Sequence, residues 1–238
     1  MKNTIAAIAL CLSSTVIADA VVLDTPQGKL IGTTTGLSDS VSVFKGIPFA
    51  APPVGEQRWQ PPGNPPSWEG ELLADSFAPN CMQQAYPEDS FYYRPARRIS
   101  EDCLYLNVWT NAETDEDLPV MVWIHGGALT RGSGATATYD GTNLAQKDVV
   151  LVTINYRLGV FGYFAHPELT QESANNAAGN YGVLDQIKAL EWVQDNIGSF
   201  GGDPANVTIF GESAGSWSVN LLTASPLAEG LFHILIMP

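Results

Sequence analysis

Four uninterrupted apolar runs constrain this chain more than any other feature: Leu104 to Trp109, Val120 to Ile124, Val149 to Ile154 and Val207 to Phe210. A strand with one wet face alternates apolar and polar residues. Runs rich in Val, Ile and Leu without alternation are buried on both faces, as in a parallel sheet covered by helices. Between the last two runs, Gly182 to Ile197 carries Val183, Leu184, Ile187, Leu190, Trp192, Val193 and Ile197 at roughly helical spacing, with Gly198 as the expected C-cap. Strands that alternate with helices predict an α/β sheet. Upstream, shorter stretches at Val21 to Leu23, Lys29 to Thr33 and Val41 to Phe44, broken by Pro26-Gln27-Gly28 and by Gly36, predict N-terminal strands and hairpins. The prolines between Ile47 and Pro66 predict irregular backbone there. The expectation is an α/β fold with a mostly parallel central sheet flanked by helices and with N-terminal antiparallel strands. It fills residues 21–238 with no dividing linker.

The last apolar run leads straight into Gly211-Glu212-Ser213-Ala214-Gly215, followed by the helix-compatible Ser216 to Thr223. Strand, G-x-S-x-G and helix together predict a nucleophile elbow, in which the turn is too sharp for side chains on either side of the serine and lifts its hydroxyl above the sheet edge. A lone G-x-S-x-G is a weak signal that a solvent-exposed turn also satisfies, and the buried strand ahead of it strengthens it. Ser213 is the expected nucleophile.

A second glycine turn, His125-Gly126-Gly127-Ala128, closes the run Val120 to Ile124. Backbone N–H groups in such a turn, with the one that follows the nucleophile, suit the oxyanion of a tetrahedral intermediate. Gly127, Ala128 and Ala214 are the expected donors. A phosphate cradle over Gly126 to Gly134 would require a following G-K-[ST], which the chain lacks.

Charge and composition narrow the partners. With 45% hydrophobic and 15% charged residues the chain can bury a sizeable core. Its formal charge of -14, from 25 acidic and 11 basic residues, repels phosphate backbones and anionic lipid surfaces, so neither nucleic acid nor membrane is expected as a partner. The sequence has no C-x-x-C pair and no clustered histidines, so no metal is expected, and acyl transfer through a serine nucleophile needs no cofactor. Oligomeric state leaves no trace in it.

The first twenty residues read as a signal peptide: Lys2 as a positive n-region, Ile5 to Leu12 as an apolar h-region and Ala18-Asp19-Ala20 as a cleavage site. The apolar run is well short of the roughly 20 residues that span a bilayer. Cleavage after Ala20 would start the mature chain at Val21 and send it to the periplasm or outside the cell. Cys11 would leave with the signal, and Leu10 before it is unlike a lipoprotein site. Cys81 and Cys103 would remain, an even pair in an oxidising compartment. Either they are two buried thiols or they form a bridge, which would contribute about 3 kcal/mol by restricting the unfolded chain.

Several segments together resemble the type-B carboxylesterase family, which includes carboxylesterases, cholinesterases and para-nitrobenzyl esterases. Phe200-Gly201-Gly202-Asp203-Pro204 with Val207 to Gly215 is similar to the family's nucleophile signature. Glu101 to Trp109 is similar to its second signature. Further matches are Lys45 to Ala50, Arg58-Trp59, Asn155 to Gly159, and Gly179-Asn180 through Asp185-Gln186. The resemblance covers essentially all of the mature chain and implies an α/β-hydrolase fold, a small-molecule ester substrate, a Cys81–Cys103 disulfide, and Glu212 as an acid lining the catalytic site. Where cholinesterases place a tryptophan for a quaternary ammonium, this chain has Tyr86, Phe91, Tyr92 and Tyr93, which disfavours choline esters.

In the family the triad acid and histidine follow the nucleophile. After Ser213 this chain offers only Glu229 and His233, four residues apart in one expected turn region. His125 opens the oxyanion turn, and His166 precedes Pro167 in an expected surface loop. None of these is the expected base: the C-terminal part of the fold, with the triad acid and histidine, is expected to be missing, and the 238-residue chain to be inactive alone. Two rivals remain, a non-catalytic adhesion or interaction protein on the same fold and a truncated product without function. Ser213 and an intact oxyanion turn weigh against the first.

Overall fold

The three N-terminal strands form where expected and run longer than the apolar stretches that predict them: β1 (Ala20–Thr25), β2 (Gly28–Thr35) and β3 (Ser38–Pro48). The computed structural model describes residues 20–90, 93, 97–113 and 116–237, so the expected signal peptide lies outside the described residues except for Ala20. β1 and β2 pair antiparallel through a tight turn in which Thr25 faces Gly28, and β2 pairs antiparallel with β3. The proline-rich stretch is irregular apart from a single 3-10 turn at Gly55–Gln57. β4 (Glu71–Leu73) then adds to β2, and β5 (Asn80–Cys81) and β6 (Ile99–Ser100) form a small ribbon of their own.

The four apolar runs become β7 (Tyr105–Thr110), β8 (Leu118–Ile124), β9 (Val150–Ile154) and β10 (Gly202–Gly211), and β11 (Ile234–Ile236) follows. Among the described residues the main sheet runs β1-β2-β3-β7-β9-β8-β10-β11, with β4 beside β2. β9, β8, β10 and β11 are mutually parallel. β7 departs from the expectation of a parallel strand, since it pairs antiparallel with both β3 and β9. Burial on both faces does not fix direction. The seven residues from Asn111 to Asp117 are too few for a parallel crossover, which needs about a dozen. The sheet is therefore mixed, antiparallel from β1 to β9 apart from β4, which joins β2 in parallel, and parallel from β9 to β11.

Helices carry the crossovers: α1 (Thr142–Ala145), α2 (Gly159–Tyr163), α3 (Pro167–Glu172), α4 (Tyr181–Asn196) and α5 (Ala214–Ala224). α4 matches the helical spacing read from the sequence to within a residue at each end. Its expected cap does not hold. Gly198 sits inside a 3-10 turn, Ile197–Phe200, and the left-handed cap is Gly201 at φ 75°. The principal core joins Leu106, Val122, Ile154 and Ile209 of the sheet to Ile187, Leu190 and Val193 of α4 and Val219 and Leu222 of α5. Buried apolar surface of this kind stabilises by about 25 cal/mol per Å².

Candidate active site

β8 and β10 are neighbours, yet β8 leads through α1 to β9 on one side while β10 leads through α5 to β11 on the other. Loops that diverge from adjacent parallel strands leave a crevice at the carboxyl ends, the place where open α/β sheets bind ligands. The two strands end in register, Gly211 opposite Ile124. Both sequence-predicted turns therefore leave the sheet side by side at this crevice.

Ser213 has φ 55° and ψ -118°, a conformation that costs a residue with a side chain about 1–3 kcal/mol. The sharp turn fits only because its flanking positions are glycines. A Cβ on Gly211 would stand 2.6 Å from the Ile124 carbonyl oxygen, and one on Gly215 would overlap that same oxygen. Gly215 N–H donates to the Glu212 carbonyl at 2.8 Å and closes the turn. Ser213 is exposed, and Ala214 opens α5, so the Ala214 N–H has no carbonyl one turn back to bond.

The second turn presses against the first. A Cβ on Gly126 would lie 2.7 Å from the Glu212 carbonyl oxygen, 2.8 Å from Glu212 Oε2 and 3.2 Å from Ser213 Cβ. Gly127 at φ 111° and Ala128 at φ 54° swing the chain outward, and the Gly127 carbonyl accepts from the N–H groups of Thr130 and Arg131, each at 3.1 Å. Among the described residues the N–H groups of Gly127 and Ala128 meet no backbone acceptor. The Gly126 turn, which leads into Gly127 and Ala128, thus lies against the Glu212-Ser213 turn, which leads into Ala214, at the carboxyl ends of β8 and β10.

None of the three histidines hydrogen-bonds to Ser213. His125 is buried, its ring stacked on Tyr156 with centroids 4.3 Å apart and its Nδ1 2.8 Å from the Gly126 carbonyl. Tyr156 donates its hydroxyl to the His125 carbonyl at 2.6 Å. Burial lowers the His125 pKa to about 4, against the opposing pull of the Gly126 carbonyl, and so keeps the ring neutral. His166 caps α3 by accepting from Glu168 N–H and is exposed. The expected turn around Glu229 and His233 begins with a 3-10 turn, Pro226–Ala228, continues through a turn at Glu229 and Gly230, where Gly230 has φ 79°, and bends at Leu231 and His233 into β11. There His233 N–H donates to the Val207 carbonyl, and His233 Nδ1 accepts from Val207 N–H at 3.2 Å. Val207 lies four residues before the end of β10, roughly 13 Å back along a strand that rises about 3.3 Å per residue. That position takes His233 away from the serine.

Cys81 and Cys103 form a disulfide with Cα atoms 5.0 Å apart. Of the aromatic residues within its loop, Tyr86 carries the Arg131 guanidinium 4.5 Å from its ring centroid, while Phe91 and Tyr92 lie outside the described residues. Two amide side chains that the sequence reading left without a role also meet here. Asn155 Oδ1 accepts from Ser133 Oγ and Gly134 N–H, and Gln83 pairs with the Gly132 peptide. Asn155 opens the family-like segment Asn155 to Gly159, whereas nothing local singles out Gln83. Among the described residues no group of His, Cys, Asp and Glu is arranged to hold a metal ion, and no helix is long and apolar enough to cross a membrane.

Residues 19–238 match the model of the carboxylesterase family. A fumonisin B1 esterase of Sphingopyxis macrogoltabida is 48% identical over 233 residues, 95% of this chain and 42% of that protein. A para-nitrobenzyl esterase of Bacillus subtilis is 48% identical over 219 residues, 91% of this chain and 43% of that one. Among solved structures, a carboxylesterase of Geobacillus stearothermophilus superposes with a TM-score of 0.80 at 48% identity, over 90% of this chain and 42% of the other. The chain thus spans about two-fifths of the length of these relatives.

Proposed function

The chain belongs to the carboxylesterase family and has the α/β-hydrolase fold, and from that premise we propose that it supplies the nucleophile and the oxyanion donors of a serine ester hydrolase. Ser213 Oγ attacks the ester carbonyl carbon and passes its proton to a histidine. The N–H groups of Gly127, Ala128 and Ala214 take the developing oxyanion, and the alcohol leaves with the proton. Water then attacks the acyl-enzyme and frees the acid, so the serine is regenerated without a cofactor. Glu212, beside the nucleophile, steadies the imidazolium while it carries the proton. The observation that carries this reading is the register of β8 with β10, which brings the strained Ser213 turn against the Gly126 turn.

The base must come from outside the three histidines of this chain, since each is engaged elsewhere. The 238-residue polypeptide by itself is therefore inactive in this reading. Relatives named for esters as different as fumonisin B1 and para-nitrobenzyl compounds support a small-molecule ester as substrate without choosing its acyl group. Residues 1–20 are a cleaved signal that delivers the protein to the periplasm or beyond the cell, so the mature N-terminus should be Val21 by intact mass.

The test uses the protein purified from its native source, 4-nitrophenyl butyrate and a fluorophosphonate probe. Hydrolysis and a single adduct, both lost on Ser213→Ala, are expected, and residues 21–238 alone should give neither. Hydrolysis that survives Ser213→Ala, or robust turnover by residues 21–238 alone, would overturn the corresponding half of the reading. A folded native protein with neither hydrolysis nor adduct would favour the non-catalytic interaction protein.

A further inference from the structure

The Cys81–Cys103 loop and the turn at Gly126 to Gly134 are far apart in sequence, yet they are joined by two side-chain amides. Gln83 Nε2 donates to the Gly132 carbonyl at 2.8 Å and to the Cys81 carbonyl at 3.1 Å, while Gln83 Oε1 accepts from Gly132 N–H at 2.9 Å. One side chain thus satisfies both polar groups of the Gly132 peptide, as a neighbouring strand would, and fixes its orientation in two directions. Asn155 bridges in parallel. Its Nδ2 donates to the carbonyls of Cys103 and Pro79, and its Oδ1 accepts from Ser133 Oγ and Gly134 N–H.

Gly132 sits where this hold matters. At φ 117° its Cα packs onto the His125 ring and the Gly126 carbonyl, and Arg131, one residue earlier, closes the turn onto the Gly127 carbonyl. At the far side Gly159 N–H donates to the Leu129 carbonyl at 2.7 Å. The turn that carries the N–H groups of Gly127 and Ala128 is therefore pinned at Leu129 by α2 and at Gly132 by Gln83. Gln83 is itself anchored two residues from a disulfide cysteine.

We propose that Gln83 is a positioning residue: it holds the Gly126–Gly132 turn in the geometry that aims its N–H groups at the oxyanion, and the Cys81–Cys103 bridge holds Gln83. The catalytic part rests on the esterase function proposed above. The hold on the turn does not. An amide that preorganises oxyanion donors acts on the transition state far more than on bound ester.

The experiment compares Gln83→Ala, Gln83→Asn and, as a neighbouring exposed control, Gln84→Ala in the full-length enzyme. Loss of positioning in Gln83→Ala should lower kcat roughly tenfold to a hundredfold, the scale of a misplaced reacting group, with KM changed less than about twofold. Affinity for a trifluoromethyl ketone, whose adduct places an oxyanion in the same turn, should fall in parallel with kcat. Gln83→Asn, one methylene shorter, should recover at most part of the loss, and Gln84→Ala should match the parent. Hydrogen exchange over residues 126–134 should speed up in Gln83→Ala while the β8 peptide stays protected. This readout decides the hold on the turn even if Ser213→Ala shows the nucleophile assignment to be mistaken. Unchanged exchange together with unchanged kcat would overturn the proposal. A uniform loss of stability with kcat per folded molecule unchanged would overturn it as well.

Discussion

Arg157 and Asp185 form a fully enclosed bidentate pair, with Nη2 2.7 Å from Oδ1 and Nε 2.8 Å from Oδ2, and the Arg157 backbone N–H also donates to Oδ2 at 2.9 Å. Their side chains are 4% and 0% exposed. The pair ties the chain that leaves β9 to α4, at the point where a Cβ on Gly182 would already stand 2.5 Å from the Arg157 carbonyl oxygen.

Removing one member of such a pair leaves an uncompensated buried charge, so Asp185→Ala should cost about 3–5 kcal/mol in urea unfolding followed by tryptophan fluorescence. Replacing both members with apolar residues, Arg157→Met with Asp185→Leu, should recover most of that. The recovery should stop short of the parent by about 1–3 kcal/mol, because the Arg157 backbone N–H then has no acceptor. Full recovery in the double variant would show that this third hydrogen bond contributes nothing.

Gly126→Ala should disable the enzyme more than it destabilises it. The added methyl would meet the Glu212 carbonyl at 2.7 Å and Ser213 Cβ at 3.2 Å, so one of the two turns must move. Overpacking of this kind costs about 1–3 kcal/mol. A displacement of about 1 Å at the reacting atoms costs roughly a hundredfold in rate, and loss of 4-nitrophenyl butyrate turnover on that scale with Tm lowered only modestly is the expected result. Activity and Tm falling together would instead mark Gly126 as a packing position.

The contrast between what could and could not be read from the sequence follows from locality. The elbow at Ser213 and the turn at Gly126 were legible because strand, glycine and helix signals lie within a dozen residues. α4 was legible because its buried residues recur at helical spacing. The direction of β7 is not legible from its apolar run, since burial on both faces marks a central strand of either sense, although the short link to β8 holds the answer. The Gly201 cap was missed because Gly198 comes first in sequence, while a further 3-10 turn carries the helix end on to Phe200. Arg157 and Asp185 each lie in a family-like segment, but nothing local pairs residues 28 apart. Gln83 and Gly132 are 49 apart, and only the fold brings that amide to that peptide.

His125 makes stability depend on acid. Its pKa is lowered to about 4 in the folded state by burial, against about 6.5 in the unfolded chain, so between these values the unfolded state binds the extra proton. The contribution is complete above pH 6.5, is lost as pH falls, and levels off below about 4, amounting to about 3 kcal/mol at one pKa unit per 1.36 kcal/mol. Chemical denaturation at pH 7 and pH 4.5 should show this loss. His125→Gln, which keeps a donor for the Gly126 carbonyl but does not titrate, should be less stable at pH 7 yet lose less on acidification. An equal loss in both proteins would place the acid sensitivity elsewhere.

Among the described residues β11 is the outer strand of the main sheet, and it presents an apolar edge. Ile234 and Ile236 are 51% and 46% exposed on one face, Met237 follows at 42%, and α5, which packs against β11, exposes Trp217. Leu235 between them turns the other way into the core. An outer strand that presents apolar side chains beside unpaired backbone groups templates association with another chain. Residues 21–238 produced alone should therefore self-associate at micromolar concentration, as read by sedimentation velocity. Ile234→Lys with Ile236→Lys should shift the population towards monomer, because lysines on an edge strand oppose pairing, while stability changes by no more than about 0.5 kcal/mol per exposed site. If the unsubstituted polypeptide is already monomeric at that concentration, the edge is not the source of attraction, and the exposed isoleucines are tolerated singly like any scattered surface apolar residues.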